Sequence, residues 1–133
     1  MKLVRYGDAG AEKPGLIDDS GVLRDLSSHV AEIDGACLGP AMLDTLRRLD
    51  SASLPVVDGP PPLFGTRLGP CVGAVGKFVC IGLNYHGHAK ETGNTVPEHP
   101  IVFLKATSAI NGPFDDVVLP RGSRHSDWEV ELG

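Results

Sequence analysis

Between positions 50 and 75 the chain reads DSASLPVVDGPPPLFGTRLGPCVGAV, and no long regular element can run through it. Each proline lacks an amide hydrogen and its ring clashes inside a helix, while each glycine adds backbone freedom that folding must remove. A segment punctuated in this way predicts an ordered connection between two different units. The chain is therefore expected to divide into a small N-terminal domain at 1–62, a connection at 63–75 and a distinct unit at 76–133.

Before the connection, residues 2–6, 14–18 and 22–25 read as short strands, with Asp18-Asp19-Ser20-Gly21 as the turn between the last two. From Ala41 to Leu49 the apolar residues Met42, Leu43, Leu46 and Leu49 fall at helical spacing. Pro40 suits the first turn, where a missing amide hydrogen costs nothing. The expected unit is a small sheet covered by one helix. With 133 residues, 41% apolar and 22% charged, the chain has material for a core, and its composition is that of neither a disordered nor a membrane protein.

Twelve Lys and Arg against seventeen Asp and Glu give a formal charge of -5, which argues against a nucleic-acid partner. No apolar run approaches bilayer length, and the opening Met1–Tyr6 is too soon charged for a secretion signal, so no membrane partner is expected. The three cysteines, Cys37, Cys71 and Cys80, form no finger-like pairs and leave an odd thiol. That usage suits a reducing cytoplasm and speaks against a sulfur-bound metal.

Beyond the connection, Phe78-Val79-Cys80-Ile81 is a wholly apolar run of the kind expected for a strand buried on both sides. The polar segment from Asn84 to Gly93 is long enough for about two helical turns, with Asn84 as a possible cap and Gly93 suited to the C-terminal end. Ile101–Leu104 is a second apolar run, ending in Lys105. Turns are expected at Asn111-Gly112-Pro113 and Arg121-Gly122-Ser123. The final DWEVELG reads as a strand in which Glu129 and Glu131 share one face, while Val130 and Leu132 turn to apolar packing. Such a strand, with no partner after it, predicts that the sequence is the first part of a longer chain.

Adjacent carboxylates repel when ionised, and a divalent cation removes that penalty, which makes Glu129 and Glu131 candidate metal ligands. Spacing alone equally allows two solvated surface glutamates. His88 and Glu91 lie three apart and share a face on a helix, where a carboxylate can orient an imidazole as a general base. The same spacing also arises in surface contacts. His86 is a lesser candidate. Lys105 either solvates a strand end or offers its ammonium to a carboxylate ligand, and Asp127 is a third local acid or a backbone acceptor. Phosphate-cradling glycine patterns and the G-x-S-x-G elbow are absent from the sequence. Cys80, inside an apolar run, reads as packing.

The succession GKFVCIGLNYHGHAKETG, PEHPIVFLKATSAINGPFDDVVLP and SDWEVELG closely resembles the catalytic domain of the fumarylacetoacetate hydrolase family. Residues 76–133 carry the likeness, and the first 75 resemble the variable N-terminal domain of bacterial members. The resemblance implies a mixed α/β, mainly β fold, with a small N-terminal α+β domain followed by the first part of a mixed β-roll catalytic domain. It implies Mg2+ or Mn2+ on Glu129 and Glu131, water activation by His88 and Glu91, and Lys105 as a site-lining residue.

The implied reaction is hydrolysis of a carbon–carbon bond in a small 1,3-diketo acid, an acylpyruvate or a 2,4-diketo-3-deoxy sugar acid, through a metal-stabilised enolate. Within the same family the alternatives are an oxaloacetate-type decarboxylase, a tautomerase or isomerase, and a ureidoglycolate lyase. Likeness to family members also implies a homodimer, and that this portion alone is inactive.

Overall fold

The computed structural model describes residues 1–60 and 65–133; the boundary expected between 62 and 63 lies outside the described residues. Among the described residues the fold is mainly β with few helices. The strands β1 (Lys2–Tyr6), β2 (Lys13–Ile17), β3 (Leu23–Asp25) and β4 (Val56–Asp58) form an antiparallel sheet in the order β1-β2-β3-β4. A second, two-stranded antiparallel ribbon joins β5 (Phe78–Gly82) to β6 (Ile101–Lys105). Helix α1 (Pro40–Arg47) follows β3, and α2 (His86–Glu91) follows β5.

The β2–β3 turn forms because Asp18 uses its side chain in place of a backbone partner. Its Oδ1 accepts from the Ser20 and Val22 amides, each at 2.9 Å, and its Oδ2 accepts from Arg24 Nε at 2.8 Å. Short polar side chains favour turns through such local bonds. Arg24 also donates to the Leu54 carbonyl at 3.0 Å, which holds the chain beside β4.

Both faces of the first sheet are packed. On one face Leu16 joins Leu26, Val30, Ile33, Cys37, Leu46 and Leu54, with Leu3, Met42 and Leu49 at the margin. Leu46 is the buried residue of α1, so this helix covers the sheet as its apolar spacing predicts. Pro40 stands at the start of the helix, but the helix ends at Arg47, leaving Leu49 to pack from outside it. On the other face lie Tyr6, Leu23 and Leu68, with Val4 and Val57 against them.

The described residues of the Pro- and Gly-rich stretch 50–75 carry more structure than its composition predicts. It supplies β4 to one edge of the sheet, while residues near Leu68 lie along β1 at the opposite edge. There the Gly7 amide donates to the Arg67 carbonyl at 2.9 Å, and the Gly69 amide to the Arg5 carbonyl at 2.8 Å. The short bonded stretches fit between the prolines, where amide hydrogens are present.

A charged network crosses the same edge. Arg5 donates to Glu32 from Nε at 2.7 Å and from Nη2 at 2.8 Å, and lies 3.4 Å from Glu12. Arg67 donates to Glu12 at 2.9 Å and grips Asp115 with both arms of its fork, at 2.7 and 2.6 Å. Glu12 is thus shared between two guanidinium groups, and its side chain is only 6% exposed.

The second unit departs from expectation in two places. β5 was expected to be buried on both sides, yet Val79 and Ile81 are exposed, as are Val102 and Leu104 on β6. A two-stranded ribbon has no layer to cover both faces, and α2 buries only one residue, Ala89. Residues 124–133, expected to hold a strand, have no regular secondary structure, and Val130 and Leu132 are exposed. A strand exists only through a ladder with a neighbour, and among the described residues none pairs with this stretch. The two turns fall close to their expected places, near 113–115 and at 121–122.

Hydrogen bonds from Arg67 hold the carboxyls of Glu12 and Asp115 below their ordinary ranges, and Arg5 does the same for Glu32. A carboxyl whose folded pKa lies below its unfolded one contributes stability that is present above the unfolded value and lost as pH falls through the folded value. The thermal midpoint is therefore expected to drop on acidification below about pH 4, the ordinary carboxylate range. Glu12→Gln, which removes the shared charge, should cost about 1–3 kcal/mol by urea denaturation at neutral pH and flatten part of the acid-side slope. An unchanged midpoint in this variant would show that the network does not stabilise the fold.

Candidate active site

Strand β5 carries the chain to Gly82, after which Leu83 adopts a left-handed backbone with φ 51°. That conformation is unfavourable for a side chain with a β-carbon, and it turns the chain from the ribbon towards α2. Tyr85 occupies the cap position of α2 with no side-chain cap bond. The expected cap, Asn84, is used differently: its Nδ2 donates to Glu131 Oε2 at 3.2 Å.

The far end of α2 closes as the sequence predicts. Gly93 has φ 71°, the Asn94 amide donates back to the Ala89 carbonyl at 2.8 Å, and the Gly93 amide donates to the Lys90 carbonyl at 3.2 Å. This pair of bonds is the Schellman arrangement, which satisfies the last carbonyls of a helix and favours glycine at the left-handed position. The helix is short, six residues, so both of its ends depend on such local devices.

His88 and Glu91 of α2 face the irregular segment near Glu129. Together Tyr85, His88, Glu91, Trp128, Glu129, Val130 and Glu131 line one open cavity of about 220 Å³. His88, Glu91, Glu129 and Glu131 therefore line a single place, although they come from stretches about forty residues apart in the chain. Lys105 stands outside that lining at the end of β6, with its ammonium 5.9 Å from the centre of the Phe103 ring. His86, the first residue of α2, is also outside the lining. Asp127 accepts from the Trp128 amide at 2.9 Å, the backbone role that was the alternative to a site acid.

His88 Nε2 lies 3.9 Å from Glu129 Oε1. That is beyond hydrogen-bond length, so the imidazole does not occupy the Glu129 carboxylate. The lining holds three carboxylates, Glu91, Glu129 and Glu131, against a single imidazole. Concentrated negative charge of this kind is relieved by a cation.

The donors are all hard oxygens, which fits Mg2+ or Mn2+, ions that are often held by one or two carboxylates with the remaining positions left to water or substrate oxygens. Among the described residues no three His, Cys, Asp or Glu side chains gather closely enough to enclose an ion unaided. Glu129 and Glu131 thus fit part of an open coordination shell. No thiol lines this cavity: Cys37 is buried, which raises its pKa, Cys80 is half-buried, and Cys71 is exposed elsewhere.

Asn84 is the site residue that sequence reasoning missed. Its position before a helix pointed to capping, and nothing in local spacing reveals a partner 47 residues away.

Residues 77–133 match the family described as Fumarylacetoacetate (FAA) hydrolase C-terminal. That stretch includes the whole ribbon, α2 and every residue lining the cavity.

Over its full 133 residues the chain is similar to bacterial proteins named "Putative hydrolase". It is 54% identical to one from Burkholderia ambifaria, 55% to one from Burkholderia multivorans and 54% to one from Burkholderia orbicola. In each case all of this chain is matched, but it spans only 45% of the relative's length. Among the described residues, no helix is long and apolar enough to cross a membrane.

The C-terminal lock on α2 generates a direct test. In Gly93→Ala the added β-carbon meets the left-handed backbone penalty, about 1 kcal/mol. Hydrogen exchange should report about fivefold lower protection of the Asn94 amide, the equivalent of that energy. Unchanged protection would mean that this bond does not hold the helix end.

Proposed function

We propose that this chain is the metal-binding and base-bearing first part of a longer hydrolase that cleaves a carbon–carbon bond in a small 1,3-diketo acid, such as an acylpyruvate or a 2,4-diketo-3-deoxy sugar acid. The observation that carries the reading is the meeting of His88, Glu91, Glu129 and Glu131 around one cavity. The match of residues 77–133 to the fumarylacetoacetate hydrolase C-terminal family supports it, as do relatives named as hydrolases. Those relatives are more than twice as long. Their additional length supports a whole protein in which further polypeptide covers the exposed ribbon and completes the pocket.

In this reading Glu129 and Glu131 hold Mg2+ or Mn2+. When bound, the cation supplies a Lewis acid that polarises the oxygens of a keto acid and relieves negative charge as the bond breaks. His88 takes a proton from the attacking water at a ring nitrogen, and Glu91, one turn along α2, borders the same cavity. Tyr85 and Trp128 border the cavity, and both side chains are exposed. Lys105 remains a candidate for binding the substrate carboxylate from the end of β6.

Two substitutions in the complete protein separate these roles. Glu129→Gln should lower Mg2+ or Mn2+ affinity by at least about tenfold, measured by calorimetry, because a neutral amide replaces an anionic ligand. His88→Ala should leave metal affinity nearly unchanged and reduce kcat by about 10²–10⁴-fold. Equal metal affinity in wild type and Glu129→Gln would overturn the metal assignment. Product analysis by NMR separates the chemistry: hydrolysis of an acylpyruvate gives pyruvate and a second carboxylate. Carbon dioxide from oxaloacetate with the acylpyruvate left intact would point to a decarboxylase.

A further inference from the structure

We propose that Asn84 is a positioning residue, which fixes the Glu131 carboxylate for cation binding without neutralising it. The inference rests on the reading of Glu129 and Glu131 as metal ligands. Its basis is the bond from Asn84 Nδ2 to Glu131 Oε2 at 3.2 Å, together with the left-handed Leu83 beside it. Asn84 precedes a helix whose cap has no side-chain bond. A residue type suited to capping therefore leaves the helix amides alone and spends its donor on a distant carboxylate.

The choice of an amide has a chemical consequence. Only the NH2 end of Asn84 can face an ionised carboxylate, because its carbonyl end would be repelled. A lysine or arginine at this place would form an ion pair and compete with the metal for the same charge. A neutral donor instead occupies one oxygen of Glu131, restricts its rotation and leaves the full negative charge to the cation.

Glu131 needs such a restraint because it lies in an irregular, exposed stretch with no strand ladder to orient it. The Leu83 turn supplies the aim. It falls between the end of β5 and Asn84, whose side chain reaches Glu131.

The test is Mn2+ binding to the complete protein by calorimetry, with thermal midpoints recorded for every variant. Asn84→Ala is expected to weaken Mn2+ affinity by about 10–100-fold, the usual range for groups that orient a metal ligand, with little change in midpoint. Asn84→Leu, similar in shape but without a donor, should behave alike, which guards against an effect of the smaller side chain. In a Glu131→Gln background, Asn84→Ala should add almost no further loss, since its target is already gone.

An affinity loss that persists in full in that background would overturn the proposal, because it would show action by another route. Unchanged affinity in Asn84→Ala, with affinity lost in Glu129→Gln, would overturn the role of Asn84 and leave the metal site standing. Unchanged affinity in both would remove the metal reading as well.

Discussion

The carboxylate of Glu12 is shared by two guanidinium groups that belong to different parts of the chain, and that sharing ties the segment around Arg67 to the edge of the sheet. Arg5 comes from the first strand of the four-stranded sheet, and Arg67 from the connection that leaves it. Neither arginine depends on Glu12 alone, because Glu32 and Asp115 each take a forked grip on one of them. The result is a chain of alternating charge that runs from the sheet edge to residue 115, beyond the ribbon. With every member paired, the cost of removing these charges from water is offset by several short charge-assisted bonds. Two glycines make the approach possible. A β-carbon at Gly69 would meet Glu12 Cγ at 2.6 Å, and one at Gly73 would meet Glu32 Oε2 at 2.7 Å.

This network changes the meaning of the segment between the sheet and the ribbon. A Pro- and Gly-rich stretch is easily taken for a spacer, but here parts of it bond to both edges of the sheet, through β4 on one side and residues 67–69 on the other. Its prolines limit how long each bonded stretch can be, and its glycines admit the carboxylates that Arg5 and Arg67 require. The ribbon therefore leaves the sheet from a fixed place. The candidate site inherits that definition only through β5 and Asp115, since its own segments are held by few contacts.

Features set by nearest neighbours were legible in the sequence. Asp18 and Gly21 mark the β2–β3 turn, Pro40 and Leu46 mark the start and the buried face of α1, and Gly93 marks the close of α2; each acts within a few residues of itself. The apolar runs of β5 and β6 were equally plain as strands, although not their exposure, because burial depends on what else packs against them. The pairing of Arg67 with Asp115 joins residues 48 apart and leaves no local pattern. Its only trace is a lone charge in an otherwise uncharged stretch between Gly59 and Gly76. The site was recognisable by residue type and order, through E-x-E and the His88–Glu91 spacing, whereas the bond from Asn84 to Glu131 needed the fold.

The E-x-E pair reaches the same cavity by a route that strand geometry does not supply. In a strand, Glu129 and Glu131 would share one face and Val130 would point away. In the structure Trp128, Glu129, Val130 and Glu131 all border the cavity, which means that the backbone of this stretch runs along its wall. Without a ladder, the directions of the two carboxylates are set by what each side chain meets: an amide for Glu131, and open space 3.9 Å from an imidazole for Glu129. The two acids are therefore unequal. Glu131 is restrained and keeps one oxygen free of the Asn84 bond, while Glu129 keeps both oxygens and some freedom to turn. A cation entering between them would meet one fixed ligand and one that can adjust, so the order gained on binding would fall mainly on Glu129 and on the backbone around it.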